Sequence, residues 1–286
     1  MRKKLEFPFA KFHGLGNDFI IARGRDLPRS LPALARSITD RHKGVGADGF
    51  LVVLPPRKRR HDARVRFFNA DGSEPEVSGN GLRCVGAYLA AVKPSRRRWV
   101  IETLAGVKSL TLIGAERGRW IFEVSMGVPI LSPAEIPFRA GDFPTPVVNF
   151  PLRTTEGEVP VTATSMGNPH CAVFVRDFDS RDWRGLGREI EAHELFPNRT
   201  NVEFVKVISR GEIEVRFWER GVGETMSSGT GSCGAVVASI LNGLTERKVH
   251  VRTVAGQLEV AWPENGEVTL TGPAARIAAG TYYYYH

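Results

Sequence analysis

Hydrophobic and polar positions along the chain follow two rhythms. Alternation rich in β-branched and aromatic residues marks V65-R-F-F and V215-R-F-W as strands. V100-I-E-T-L, K108-S-L-T-L-I and G118-R-W-I-F-E-V continue that pattern in the first half, and H250-V-R-T-V254 and Q257-L-E-V-A-W262 continue it in the second. Each half also carries one longer run, L82-R-C-V-G-A-Y-L-A-A-V92 and S232-C-G-A-V-V-A-S-I-L241. Both are rich in small residues and apolar nearly all round, which predicts helices buried on every side.

The two halves repeat each other. V65-R-F-F-N69 is echoed by V215-R-F-W-E219, Ser78-Gly79-Asn80-Gly81 by Ser228-Gly229-Thr230-Gly231, and T103-L-A-G106 by T253-V-A-G256, each at an offset of 150 positions. Three motifs in one order at one offset predict two copies of a single fold of about 130 residues. The copies join within Met126 to Pro133, giving domains 1–128 and 129–286, with the last strand free to return to the first domain. Many short strands and one long buried helix per copy predict an α+β class. Each copy is expected to be a curved, mainly antiparallel sheet or barrel around a central helix, with a ligand cleft between the copies.

Composition narrows the function classes. With 286 residues, 42% hydrophobic and 24% charged, the chain suits a globular protein, and it has no apolar run long enough to span a bilayer. The start, MRKKLEFPFAKF, lacks an apolar h-region and a cleavage site, so a cytoplasmic location is expected. Cys84, Cys171 and Cys233 show neither CxxC spacing nor His/Cys clustering, which predicts buried thiols rather than disulfides or a metal site. The net charge of +8 gathers in Arg2-Lys3-Lys4, R57-K-R-R-H61 and S95-R-R-R-W99. No nucleic-acid motif or aromatic interleaving accompanies these runs, so they read as solvated loops without a nucleic-acid or membrane partner.

Ser-Gly-x-Gly before a helix combines an N-cap with glycines that let backbone approach a ligand. Capping alone explains one such motif. Two equivalent mouths also suit an anion, because free N–H groups and the helix dipole favour negative charge there. A side chain at each mouth would then flank the anion's neighbouring carbon from either side, as stereoinversion requires.

F12-H-G-L-G-N-D-F19, G44-V-G-A-D-G49, F67-F-N-A-D-G-S-E74, S78-G-N-G-L-R-C84, M166-G-N-P-H170, R199-T-N-V-E-F204, W218-E-R-G-V-G-E-T225 and S228-G-T-G231 together resemble the diaminopimelate epimerase family, from near residue 11 to about 260. The resemblance implies two similar α/β domains, a homodimer, and interconversion of LL- and meso-diaminopimelate without pyridoxal phosphate or metal. It implies a site lined by Asn17, Asn69, Asn168, Asn201, Glu219 and Arg220, with backbone of Gly79, Asn80, Gly229 and Thr230 on a substrate carboxylate. By the same resemblance His170 and Glu219 assist two acid/base residues, and the family's two catalytic cysteines fall at Ser78 and Ser228. Cys84 and Cys233 lie inside the helices. Three readings stay open on the sequence: an epimerase silenced or slowed by serine, a proline-type racemase or dehydratase on the same scaffold, and a non-catalytic amino-acid-binding protein.

Overall fold

The computed structural model describes residues 4–28, 30–264 and 266–285; Arg2 and Lys3 of the first basic run lie outside them. In chain order the elements are β1 (Lys4–Gly14), β2 (Asn17–Arg23), α1 (Leu31–Thr39), β3 (Gly49–Leu54), β4 (Ala63–Asn69), α2 (Gly79–Val92), β5 (Arg98–Thr103), β6 (Gly106–Glu116) and β7 (Arg119–Gly127). There follow β8 (Phe150–Thr154), β9 (Gly157–Ser165), β10 (Pro169–Phe174), α3 (Trp183–Glu191), β11 (Asn201–Ser209), β12 (Glu212–Glu219), β13 (Gly223–Thr225), α4 (Gly229–Leu241), β14 (Lys248–Thr253), β15 (Gly256–Ala261) and β16 (Val268–Tyr285). The chain divides into two compact units, Met1–Ser125 with Thr271–His286, and Met126–Leu270.

In the first unit β1-β2-β3-β4-β5-β6-β7-β16 run in order, and β16 pairs back with β1 to close an eight-stranded mixed barrel. Antiparallel pairs predominate, but β2–β3 and β4–β5 are parallel. A parallel pair needs a crossover, and α1 and α2 are those crossovers. Helix α2 packs against β1, β2, β3 and β6, and its buried residues run from Gly79 to Ala90 on all sides. The small residues make this fit possible. A Cβ on Gly86 would stand 3.0 Å from Leu110 and from the Phe122 ring.

The long buried helix predicted for each copy is present as α2 and α4, and each unit has a shorter second helix besides. The additional helix α1 buries Leu31, Leu34, Ala35 and Ile38, an i, i+3, i+4, i+7 stripe, against Phe50, Val52 and Phe68. The four consecutive tyrosines Tyr282 to Tyr285 end the closing strand β16. Along β16, Tyr282 and Tyr284 pack on this core while Tyr283 and Tyr285 are 51% and 59% exposed, the alternation of a strand. Tyr282 stacks edge-on with Phe7 at 5.8 Å and its hydroxyl lies 2.9 Å from Ser37 Oγ.

In the second unit the order is β8-β9-β10-β11-β12-β14-β15, with β13 on β12. The parallel pairs β10–β11 and β12–β14 are joined through α3 and α4. Alternation along β11 sorts its side chains. Val202 and Phe204 join the cluster under α3, where Trp183 meets Phe204 at 5.5 Å, and Glu203 between them turns to α4.

Candidate functional site

The two helix mouths are built alike. Ser78 has φ −133° and ψ 124°, and its Oγ accepts from Gly81 N at 3.1 Å. Ser228 has φ −130° and ψ 127°, and its Oγ accepts from Gly231 N at 3.2 Å. Both serines are therefore working N-caps, and the first N–H groups beyond them, at Gly79 and Asn80 and at Gly229 and Thr230, have no acceptor within their helices. The glycine at the third helical position is required in each case: a Cβ on Gly81 or Gly231 would approach the phenylalanine beneath it, Phe67 or Phe217, to 2.9 and 3.0 Å.

Around Ser78 the first unit gathers a polar chain. Asn80 Nδ2 donates to Asn17 Oδ1 at 3.2 Å, Asn17 Nδ2 donates to Asp48 Oδ2 at 2.8 Å, and the wholly buried Arg83 donates to Asn80 Oδ1 at 2.6 Å. Arg83 also donates to the Pro273 carbonyl of β16, tying the helix to the closing strand. Burial opposes the charge of neighbouring Asp18, but Lys11 at 2.9 Å, the Asp48 backbone N–H and Arg41 outweigh it and hold the carboxyl below its usual range. Asn69 ends β4 and donates to Ser73 Oγ at 2.9 Å, apart from this chain of bonds.

Around Ser228 the second unit carries more titratable chemistry. Ser228 Oγ donates to Glu219 Oε2 at 3.1 Å, and Thr225 donates to Glu219 Oε1 at 2.6 Å. Burial pushes the Glu219 carboxyl up, against the pull of those two bonds. His170 Nδ1 lies 2.7 Å from Glu203 Oε1 and Nε2 lies 3.0 Å from Asn168 Oδ1, with His170 and Glu203 each 1% exposed. Because the amide oxygen only accepts, Nε2 keeps its proton, and the pair shares one further proton between Nδ1 and Glu203. Burial pushes Glu203 up. Asn201 holds the neighbouring loops, donating to the Pro169 carbonyl at 2.8 Å and accepting from Arg220 N at 3.0 Å.

The three cysteines are buried. Burial pushes the Cys84 thiol up to about 12 and raises Cys171 as well, so neither supplies a thiolate near neutral pH. Among the described residues no group of three or more His, Cys, Asp and Glu side chains is placed to hold a metal ion.

The structure thus links Asn17 with Asn80 beside Ser78, and Ser228 with Glu219, His170 with Asn168, and Asn201 with Arg220. Asp48, Arg83 and Glu203 were not singled out from sequence although each lies in a quoted motif. The available signal was a lone charge inside an apolar run, as in L82-R-C-V85 and N201-V-E-F-V205.

The model of the family described as diaminopimelate epimerase matches residues 9–131 and 162–277. The chain belongs to the diaminopimelate epimerase family. A diaminopimelate epimerase of Pelotomaculum thermopropionicum is 46% identical over 282 residues, covering 96% of this chain and 99% of the relative. One from Desulforudis audaxviator is 47% identical over 285 residues, covering 95% and 98%. Among solved structures, a hydroxyproline epimerase from Agrobacterium vitis with bound trans-4-hydroxy-L-proline superposes with a TM-score of 0.71 at 17% identity, covering 99% of this chain and 94% of that one. A Bacillus anthracis protein of the PhzF family gives 0.66 at 15% identity, covering 98% and 99%. At such low identity these two define the shared fold. The chain is a family member that carries serine at both helix mouths.

Proposed function

We propose that the chain is an isomerase that recognises LL- and meso-diaminopimelate and inverts the α-carbon between them, slowly, with Ser78 and Ser228 as the two acid/base groups. The reaction asks for one group to remove the α-proton and another to return a proton from the opposite side. The observation that carries the reading is the repeated mouth, two serines with matching backbone angles and matching bonds to the glycine three residues on. Helix N–H groups at Gly79, Asn80, Gly229 and Thr230 would hold the α-carboxylate, where it also lowers the cost of charge on the α-carbon. Asn17, Asn69, Asn168, Asn201, Glu219 and Arg220 supply the polar lining for the second amino-acid head group. The reading includes, from the family resemblance, no pyridoxal phosphate or metal, a homodimeric assembly, and a place on the route to lysine and peptidoglycan.

Glu219 is the assisting base for Ser228, since it already accepts a hydrogen bond from that hydroxyl and burial raises its own pKa. His170 is the assisting group held by Glu203 and Asn168. Serine sets the rate. An alkoxide resembling hydroxide lies roughly 7 pKa units above a thiolate, about 9 to 10 kcal/mol before any help from the helix or Glu219. The test is incubation with LL-diaminopimelate and, separately, trans-4-hydroxy-L-proline, followed by chiral chromatography. Slow appearance of the meso isomer alone supports the reading; inversion of hydroxyproline without diaminopimelate turnover overturns it.

A further inference from the structure

The first unit holds a cleft of about 590 Å³ on the α1 side of its sheet, lined by the loop that carries the basic run R57-K-R-R-H61. Glu102 fixes this loop by accepting from Arg57 N at 3.0 Å, from Lys58 N at 2.9 Å and from His61 Nδ1 at 2.7 Å. The other carboxylate of the cleft, Glu74, is taken by Arg66 through a fork of two bonds at 2.7 and 2.6 Å. Both local carboxylates are therefore committed. Arg64, in register with Glu102 across β4 and β5, is half-buried in the cleft lining, and its Nε is buried with no acceptor. The side chains of Arg57 and Lys58 in the lining are exposed, as are Leu104 and Val107 at 61% and 53%. The cleft lining thus offers a guanidinium with an unpartnered Nε, two further exposed cations and two exposed apolar side chains.

We propose that this cleft binds a small organic anion, a phosphate or carboxylate head on an apolar body, with the head on Arg64 and the body against Leu104 and Val107. A planar guanidinium fork suits either head group, and the cleft volume suits a ligand of that size. The inference does not depend on the reaction proposed above.

The full chain is titrated by calorimetry with phenyl phosphate, phenylacetate and, as a cation with a similar ring, benzylamine. Saturable one-to-one binding of at least one anion is expected, with no binding of benzylamine. Which anion binds tells a phosphate from a carboxylate ligand. Arg64→Ala weakens the bound anion by at least about tenfold, and Arg64→Lys, which keeps charge without the fork, weakens it in the same direction. Thermal melting checks that the variants fold. If Arg64→Ala does not, Lys58→Glu on the exposed loop takes its place, with a loss of about fivefold or more expected from reversing an exposed charge. Absence of binding by both anions overturns the proposal, as does unchanged affinity in the folded Arg64 or Lys58 variants, which would put the anion elsewhere, the helix mouths included.

Discussion

Replacing Glu203 with leucine tests how the buried pair under α4 is held. Strand registers place Phe19 and Leu51 of the first unit where His170 and Glu203 stand in the second: Phe19 pairs with Gly49 and Leu51 with Phe67, as His170 pairs with Asn201 and Glu203 with Phe217. The first unit thus fills with two apolar side chains, buried to 7% and 0% exposure, the place that the second fills with an acid and an imidazole. Glu203→Leu leaves Nδ1 of a 1%-exposed histidine without its partner at 2.7 Å and costs about 3 kcal/mol. His170→Phe strands a buried carboxyl and costs a similar amount. The double variant copies the first unit, where no polar group is stranded. His170 already stands 3.0 Å from the Cβ position of Gly234, so a phenylalanine there is tight and the double variant costs about 1 to 2 kcal/mol. Urea unfolding of the four proteins is expected to show a coupling of about 4 kcal/mol. A double variant that costs the sum of the two singles would refute the pairing.

Other outcomes follow from the same geometry. Ser78→Ala removes an N-cap and costs about 1 kcal/mol in melting experiments, while Ser78→Gly costs a few tenths. Ser228→Ala costs more than Ser78→Ala, because it also takes a donor from half-buried Glu219. Gly231→Ala brings a Cβ to 3.0 Å from Glu203 Oε1, Phe217 and Ser228, all buried, and costs about 1 to 2 kcal/mol despite alanine's better helix propensity. Two backbone N–H groups, with His61, hold Glu102 at about 2, below its ordinary 4.5. The folded state therefore binds fewer protons than the unfolded chain, so this stabilisation is present above pH 4.5 and fades as pH falls through about 2. Urea midpoints of wild type and Glu102→Gln should converge on acidification, and a gap independent of pH would contradict the assignment.

Local signals carried much of this fold in the sequence. Strands β4 and β12 and helices α2 and α4 announce themselves by alternation or by all-round apolarity, and Ser-Gly-x-Gly marks the caps. Helices α1 and α3 escaped because each spans nine residues, and Pro32 in one and Gly185 and Gly187 in the other mask the short apolar stripe. The candidate site was legible where its motifs lie close in sequence, as for Ser228 and Glu219, which the structure joins by a hydrogen bond. It was not where partners meet through the sheet: Glu203 lies 33 residues from His170, and Asn80 lies 63 from Asn17. A lone charge in an apolar run flags such residues but does not name the partner.

The most direct test of the two N-cap serines as the acid/base pair is α-proton exchange in heavy water. The protein and its Ser78→Cys/Ser228→Cys variant are incubated with LL- and meso-diaminopimelate while the α-proton is followed by NMR. Exchange by the cysteine variant at least about 100-fold faster than by the serine protein is the predicted result. Equal rates in the two proteins would contradict it and move the proton transfer to another group.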